Sequence, residues 1–169
     1  NPHLLEWMNS GIVYYQAFTT IQQMKQLSQS FFTPNACLYH YLNMANNNFR
    51  EYLKSDTVRI KKYFYALRPV LAARWIEAFI EFPPMEFQTL LEKVVPEGEL
   101  KNEINVLLER KIRGDELDLE PRIDIINSFL EKELTRLTEY AKTVTKDIED
   151  PTPQLDHLFR ITLNEIWNS

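Results

Sequence analysis

The apolar positions of this chain recur at intervals of three and four residues over most of its length, the spacing that lines one face of an α-helix. Ile123, Ile126, Leu130, Leu134, Leu137, Ala141, Val144 and Ile148 step in this way and predict a long amphipathic helix over residues 121–149. Leu155, Leu158, Phe159, Thr162, Leu163, Ile166 and Trp167 continue the pattern in the last segment, and Leu100, Ile104, Leu107, Leu108 and Ile112 form a shorter stripe. Upstream, Cys37, Tyr41, Met44, Ala45, Asn48 and Tyr52 share one side of a helix expected over residues 34–54. The next helix is expected over residues 56–81, with Pro69 inside it to kink it or to remove one hydrogen bond. Residues 12–29, rich in Thr and aromatics, also read as helix.

Punctuation supports these spans. Asn1-Pro2, Thr33-Pro34 and Thr152-Pro153 each offer a side-chain oxygen at an N-cap and a proline at the first helical position. Pro83-Pro84 followed by Glu86 reads as a helix start in the same way, and so does Glu120-Pro121. Gly98 and Gly114 mark breaks between segments. No stretch shows sustained two-residue alternation, no repeat recurs and no tract is of low complexity. The pattern predicts an all-α protein: six to eight helices packed as an irregular antiparallel bundle, in a single helical domain over residues 1–169.

Composition narrows the function classes. With 44% hydrophobic and 25% charged residues in 169, the chain has the make-up of a globular domain large enough to bury a core. Three glycines are too few for a sheet-and-turn protein, and neither GxGxxG nor GxxxxGK[ST] occurs. No run approaches the ~20 apolar residues of a membrane span, and no charged-then-apolar leader pattern is read in these residues. Cys37 is the only cysteine, which excludes an internal disulfide and implies a reducing, cytoplasmic setting. Residue 1 is Asn rather than an initiator Met, so a fragment or a processed chain is expected.

Complete catalytic constellations are absent from the sequence. Cys37 and His40 have half of a metal site's spacing, but no second Cys or His pair completes four ligands. A buried thiol beside a hydrogen-bonded histidine is the simpler reading. A helical ribonuclease built on an arginine a few residues before a histidine is unsupported, because no arginine stands so before His3, His40 or His157. The carboxylates of the second half fall mostly on the polar faces of amphipathic helices.

Charge singles out one region. The net charge of −5 divides into +2 over residues 1–96 and −7 over residues 97–169. Arg50, Lys54, Arg59, Lys61, Lys62, Arg68 and Arg74 lie close together in sequence, opposed only by Glu51 and Asp56. Tyr39, His40, Tyr41, Phe49, Tyr52, Tyr63, Tyr65 and Trp75 interleave with them. Arginine and lysine neutralise phosphates, and tyrosine and histidine stack on bases or donate hydrogen bonds. Arg50 and Lys54 are one helical turn apart, as are Lys61 and Tyr65, so each pair can present a shared patch. The bland alternative makes the aromatics core and the bases a solvated face.

At these residues the sequence is similar to a known family. The runs CLYHYLNMANNNFREYL (37–53) and VRIKKYFYALRPVLAARWIE (58–77) resemble bacterial predicted nucleotidyltransferases of the DNA polymerase beta superfamily, some of them associated with RNA repair. NPHLLEWMNSGIVY, PPMEF (83–87), LLERK (107–111) and ELDLEPRIDIINSFLEKEL (116–134) look like the same family, so the likeness extends to about Leu134. Members carry, before this region, a small mixed sheet with a Gly-Ser signature and paired aspartates that hold divalent metal. Neither occurs here. The resemblance therefore implies the C-terminal helical domain of a longer protein whose N-terminal nucleotidyltransferase domain, with its Mg2+, is absent, and it carries no catalytic or metal-binding residue onto this chain.

It also implies a role: positioning a nucleoside triphosphate, or an acceptor such as RNA, against that catalytic domain as partner. Arg50, Lys61, Lys62 and Arg68 are the candidates for phosphate contacts, with His40 and Tyr41 facing the same groove. Two antiparallel helices joined by a short connection would bring these bases together near Ser55-Asp56. The alternative is a non-catalytic helical module that binds nucleic acid or a protein partner through residues 39–75. Overall acidity counts against general nucleic-acid affinity, which is largely electrostatic.

Overall fold

A computed structural model describes residues 2–145 and 150–168. The chain is 71% helical and all-α in class. Its elements among the described residues are α1 (Pro2–Met8), α2 (Thr20–Ser30), α3 (Pro34–Tyr52), β1 (Thr57–Arg59), α4 (Lys61–Phe79), α5 (Phe87–Val94), α6 (Glu99–Arg113), β2 (Leu119–Pro121), α7 (Asp124–Thr143) and α8 (Thr152–Trp167). They group into two compact units, Pro34–Val144 and Asn1–Thr33 with Thr145–Ser169. No described helix is long and apolar enough to cross a membrane.

The larger unit is built around α4. Tyr63, Leu67, Val70, Ala72, Ala73 and Ile76 are all fully buried, so apolar groups surround this helix rather than form one stripe. A helix apolar on every side belongs at the centre of a core, and α3, α5 and α7 all pack on it. Helix α3 contributes Leu38, Tyr41, Leu42 and Ala45, and α7 contributes the expected stripe from Ile126 to Ala141. The helix continues through Pro69, which has no N–H to give to the Tyr65 carbonyl one turn earlier.

Two asparagines fix α7 against its neighbours. The buried Asn35 amide, at the start of α3, donates to the Ala141 and Val144 carbonyls at 3.1 and 3.0 Å. The Ala141 carbonyl belongs to the last turn of α7, where no intrahelical donor remains, and Val144 caps that end. At the other end Asn127 donates to the Leu53 carbonyl at 2.6 Å. Gly114 closes α6 with a left-handed φ of 80°, as its place in the sequence suggests.

In the smaller unit, α2 packs against both α1 and α8. Thr19 donates through its backbone and its hydroxyl to the Glu165 carboxylate, and the Thr20 and Thr162 hydroxyls lie 3.0 Å apart.

Several expected boundaries shift. Glu120-Pro121 does not open a helix: it lies in β2, paired antiparallel with β1 in the register Thr57↔Pro121, Val58↔Glu120, Arg59↔Leu119. A proline is tolerated there because the ribbon has only two strands and both are edges. Helix α7 consequently starts at Asp124, and α4 at Lys61 rather than at residue 56. Residues 12–29 are helical only from Thr20. Helix α5 begins after the prolines, at Phe87. The start of α8 is held by Asp150, whose carboxylate accepts from the Thr152 amide and hydroxyl, so Thr152 is capped rather than capping. The Asn1 cap, Ile148 and the stretch of helix expected over 146–149 lie outside the described residues.

Candidate functional site

The basic residues of the larger unit divide by what their charge is doing. Arg74 faces Glu133 at 3.7 Å, and Arg136 takes both Glu77 and Glu133, which clamps α4 to α7 and holds the Arg136 guanidinium firmly charged. Arg110 makes a two-pronged pair with Glu120, whose carboxyl is held below its ordinary pKa chiefly by that hydrogen bond. Arg122 bonds Asp124 at 2.7 Å and approaches Asp56 at 3.5 Å. These guanidiniums serve the scaffold. Among the described residues, no carboxylate lies within ion-pairing reach of Arg50, Lys54, Lys61 or Lys62.

Two of those unneutralised bases share a cavity. Arg50, near the end of α3, and Lys54, one turn further on, line a space of about 440 Å³ with Phe49 and Asn46. The opposite wall is α7, presenting Glu131, Leu134, Thr135, Thr138 and Glu139. The hydroxyls of Thr135 and Thr138 donate back to the Glu131 and Leu134 carbonyls, so the wall offers mainly carboxylates to a guest. A second space of about 270 Å³ adjoins it, sharing Phe49, Lys54 and Glu131 and adding Arg122, Asp124, Asn127 and Ser128.

The residues expected in one groove are dispersed, with only Arg50 of them lining these cavities. Lys61, Lys62 and Arg68 line neither cavity. Lys61 is exposed at the first turn of α4. The Lys62 ammonium sits over the Tyr52 ring, 3.6 Å from its centre, and 5.1 Å from the centre of the Tyr65 ring. Arg68 is half-buried, with one guanidinium nitrogen 3.5 Å from the Met85 sulfur. Tyr41 has no exposed surface and cannot face a groove; it is part of the core. His40 is half-buried beside it, the two rings edge to face at 5.3 Å. Cys37 is buried, as the simpler reading of its spacing requires.

Two residues of the cavities were underweighted in the sequence. Lys54 carried the right signal, four residues after Arg50. Arg122 carried none, because only the β1–β2 pairing brings it beside Lys54: its backbone N–H donates to the Asp56 carbonyl at 2.9 Å.

In the smaller unit, a cavity of about 460 Å³ lies between α2 and α8, lined by Gln23, Gln26, Leu27, Ser30, Pro153, Gln154, His157 and Leu158. None of its described lining residues is a lysine or arginine.

Residues 1–161 match the family described as the RNA repair pathway DNA polymerase beta family. The match runs past Leu134 into α8. The chain is also 51% identical over 167 residues to a protein of Bacillus subtilis (strain 168), the uncharacterized protein YcgL, covering 99% of this chain and 64% of that relative. It thus spans less than two thirds of the relative's length. No solved structure matches. The chain belongs to the RNA repair pathway DNA polymerase beta family.

Proposed function

We propose that this member of the RNA repair pathway DNA polymerase beta family is the C-terminal helical part of a metal-dependent nucleotidyltransferase, and that it positions the nucleotide or its acceptor. The observation that carries the reading is the pair Arg50 and Lys54, bases in one cavity that, among the described residues, have no carboxylate within ion-pairing reach. A cation kept out of the scaffold's ion pairs is available to a phosphate oxygen, and arginine's planar fork meets such oxygens two at a time. The Glu131 and Glu139 carboxylates across the cavity accept hydrogen bonds from ribose hydroxyls. A guest with phosphate at one end and a sugar at the other therefore finds complementary walls. Lys61 and Lys62 would extend phosphate contacts along α4.

In this reading the catalytic sheet, its paired aspartates and Mg2+ lie in the part of the protein outside this chain, which is its partner in the cytoplasm. The metal would stabilise charge on the transferred group. The chain's own share is orientation, which raises rate by holding reactants in register. The 64% coverage of the Bacillus relative leaves room for such a part.

The test is transfer by the full protein from labelled nucleoside triphosphates with Mg2+ and candidate acceptors, RNA included. Transfer that falls about tenfold or more in Arg50→Ala and Lys54→Ala, with folding intact, is the expected result; each lost charge-assisted bond is worth roughly 1.5–3 kcal/mol. Binding of nucleic acid with no transfer under any condition would instead favour a non-catalytic module.

A further inference from the structure

We infer that Tyr52 and Tyr65, with Lys62 between their roles, form a stacking subsite for an unpaired nucleobase. This inference rests on the nucleotide-positioning reading and adds to it a place for the base.

The two tyrosines come from different elements. Tyr52 is the last residue of α3, and Tyr65 projects from the second turn of α4. One ammonium meets both rings, at 3.6 and 5.1 Å from their centres, so the rings lie no further apart than those two distances together. The site is open: Tyr65 is 56% exposed and Tyr52 half-buried. Further positive charge stands close by. The Glu51 carboxylate meets the Tyr52 hydroxyl and raises its pKa, Arg59 acts on that hydroxyl in the opposite direction, and Lys61 is exposed beside Lys62.

Aromatic faces flanked by cations are how proteins hold single-stranded nucleic acid, because every base has a π-face and every link a phosphate. Lys62 already occupies the face of Tyr52, held by cation–π attraction. Its four-carbon stem is flexible. A planar base stacking on a tyrosine ring takes the place of the ammonium, which turns to the attached phosphate. Neither contact requires a buried charge, and among the described residues no carboxylate within ion-pairing reach restrains Lys62.

The base has two possible sources, a mononucleotide or the unpaired end of a strand, and the experiment separates them. Binding to the full protein is measured for ATP against ribose 5-triphosphate. In parallel, a fluorescein-labelled single-stranded RNA is compared with the same strand carrying an abasic terminal residue. In at least one arm the ligand with a base should bind about fivefold tighter or more, the size of one stacking contact. Tyr65→Ala should abolish that preference, Tyr65→Phe should keep it, and circular dichroism should show both folded, since Tyr65 is largely exposed. Lys62→Met should weaken ligands with and without the base alike. Equal binding of both ligands in both arms, or a preference that survives Tyr65→Ala, would overturn the inference. Those results leave the transfer activity of the Arg50 and Lys54 variants to decide the broader reading separately.

Discussion

The Tyr63 hydroxyl donates to the Asn127 side-chain oxygen at 2.5 Å while accepting from the Ile123 backbone N–H at 2.8 Å. Asn127 in turn donates to the Leu53 carbonyl, so one hydroxyl ties the first turn of α4, the start of α7 and the end of α3 into a single knot. The knot borders the cavities, since Asn127 lines one of them. It fixes the position of Asn127 in the wall of the cavity that Lys54 also lines.

Tyr63→Phe removes that hydroxyl and strands both the Ile123 amide and one Asn127 lone pair. Leaving such groups unsatisfied costs about 1–3 kcal/mol. Urea unfolding should show a lower midpoint with an unchanged slope. An unaltered midpoint would mean that water replaces the hydroxyl without loss.

The same residue sets an alkaline limit. Burial raises the Tyr63 phenol above its ordinary value of 10.0, because ionisation would place a charge in the core. A pKa higher in the folded than in the unfolded state gives stability that is complete below pH 10 and is lost as pH rises through the folded value. Glu120 behaves oppositely: its pKa is lowered by Arg110, so its contribution is present above the ordinary carboxylate value and fades as pH falls through the folded one. Tyr63→Phe should flatten the alkaline limb of a stability–pH profile and Glu120→Gln the acid limb. Profiles parallel to the parent would contradict both assignments.

Ile80 ends α4 in the left-handed conformation, with φ of 55°. A β-branched side chain there is disfavoured by roughly 1–2 kcal/mol. Ile80 is 53% exposed, so removing its side chain sacrifices little burial. Ile80→Gly relieves the clash, offset by about 0.5–1 kcal/mol of added unfolded-chain entropy. A net gain of up to about 1 kcal/mol in thermal unfolding is expected. A lower melting temperature would show that the Ile80 side chain makes a contact worth more than its backbone strain.

What the sequence disclosed followed physical range. Helices were legible because their signals are local: the α7 stripe repeats every turn, and Thr33-Pro34 and Gly114 mark boundaries within a residue or two. The β1–β2 ribbon was not, since three residues with only Val58 buried are too short to show alternation. Pro121 therefore passed for a helix start. At the site, Arg50 with Lys54 was readable from four-residue spacing. The fate of Arg74 was not, because its carboxylate, Glu133, lies on a helix far away in sequence. Tyr41 was misplaced for a related reason: an aromatic among bases looks the same in a sequence whether it is stacked in the core or exposed.

The central claim is that bases outside the scaffold's ion pairs serve a ligand, whereas paired ones serve the fold. Arg50→Ala and Arg136→Ala in the full protein test it directly when nucleotidyl transfer and melting temperature are measured on both. Arg50→Ala should lose about tenfold or more in transfer, with its melting temperature within a degree or two of the parent, because an exposed base outside any ion pair adds little stability. Arg136→Ala should keep transfer below its melting point but melt earlier, by several degrees, having left Glu77 and Glu133 without their shared partner. Unchanged transfer in Arg50→Ala together with a lowered melting temperature would contradict the account and reduce the basic strip to scaffolding.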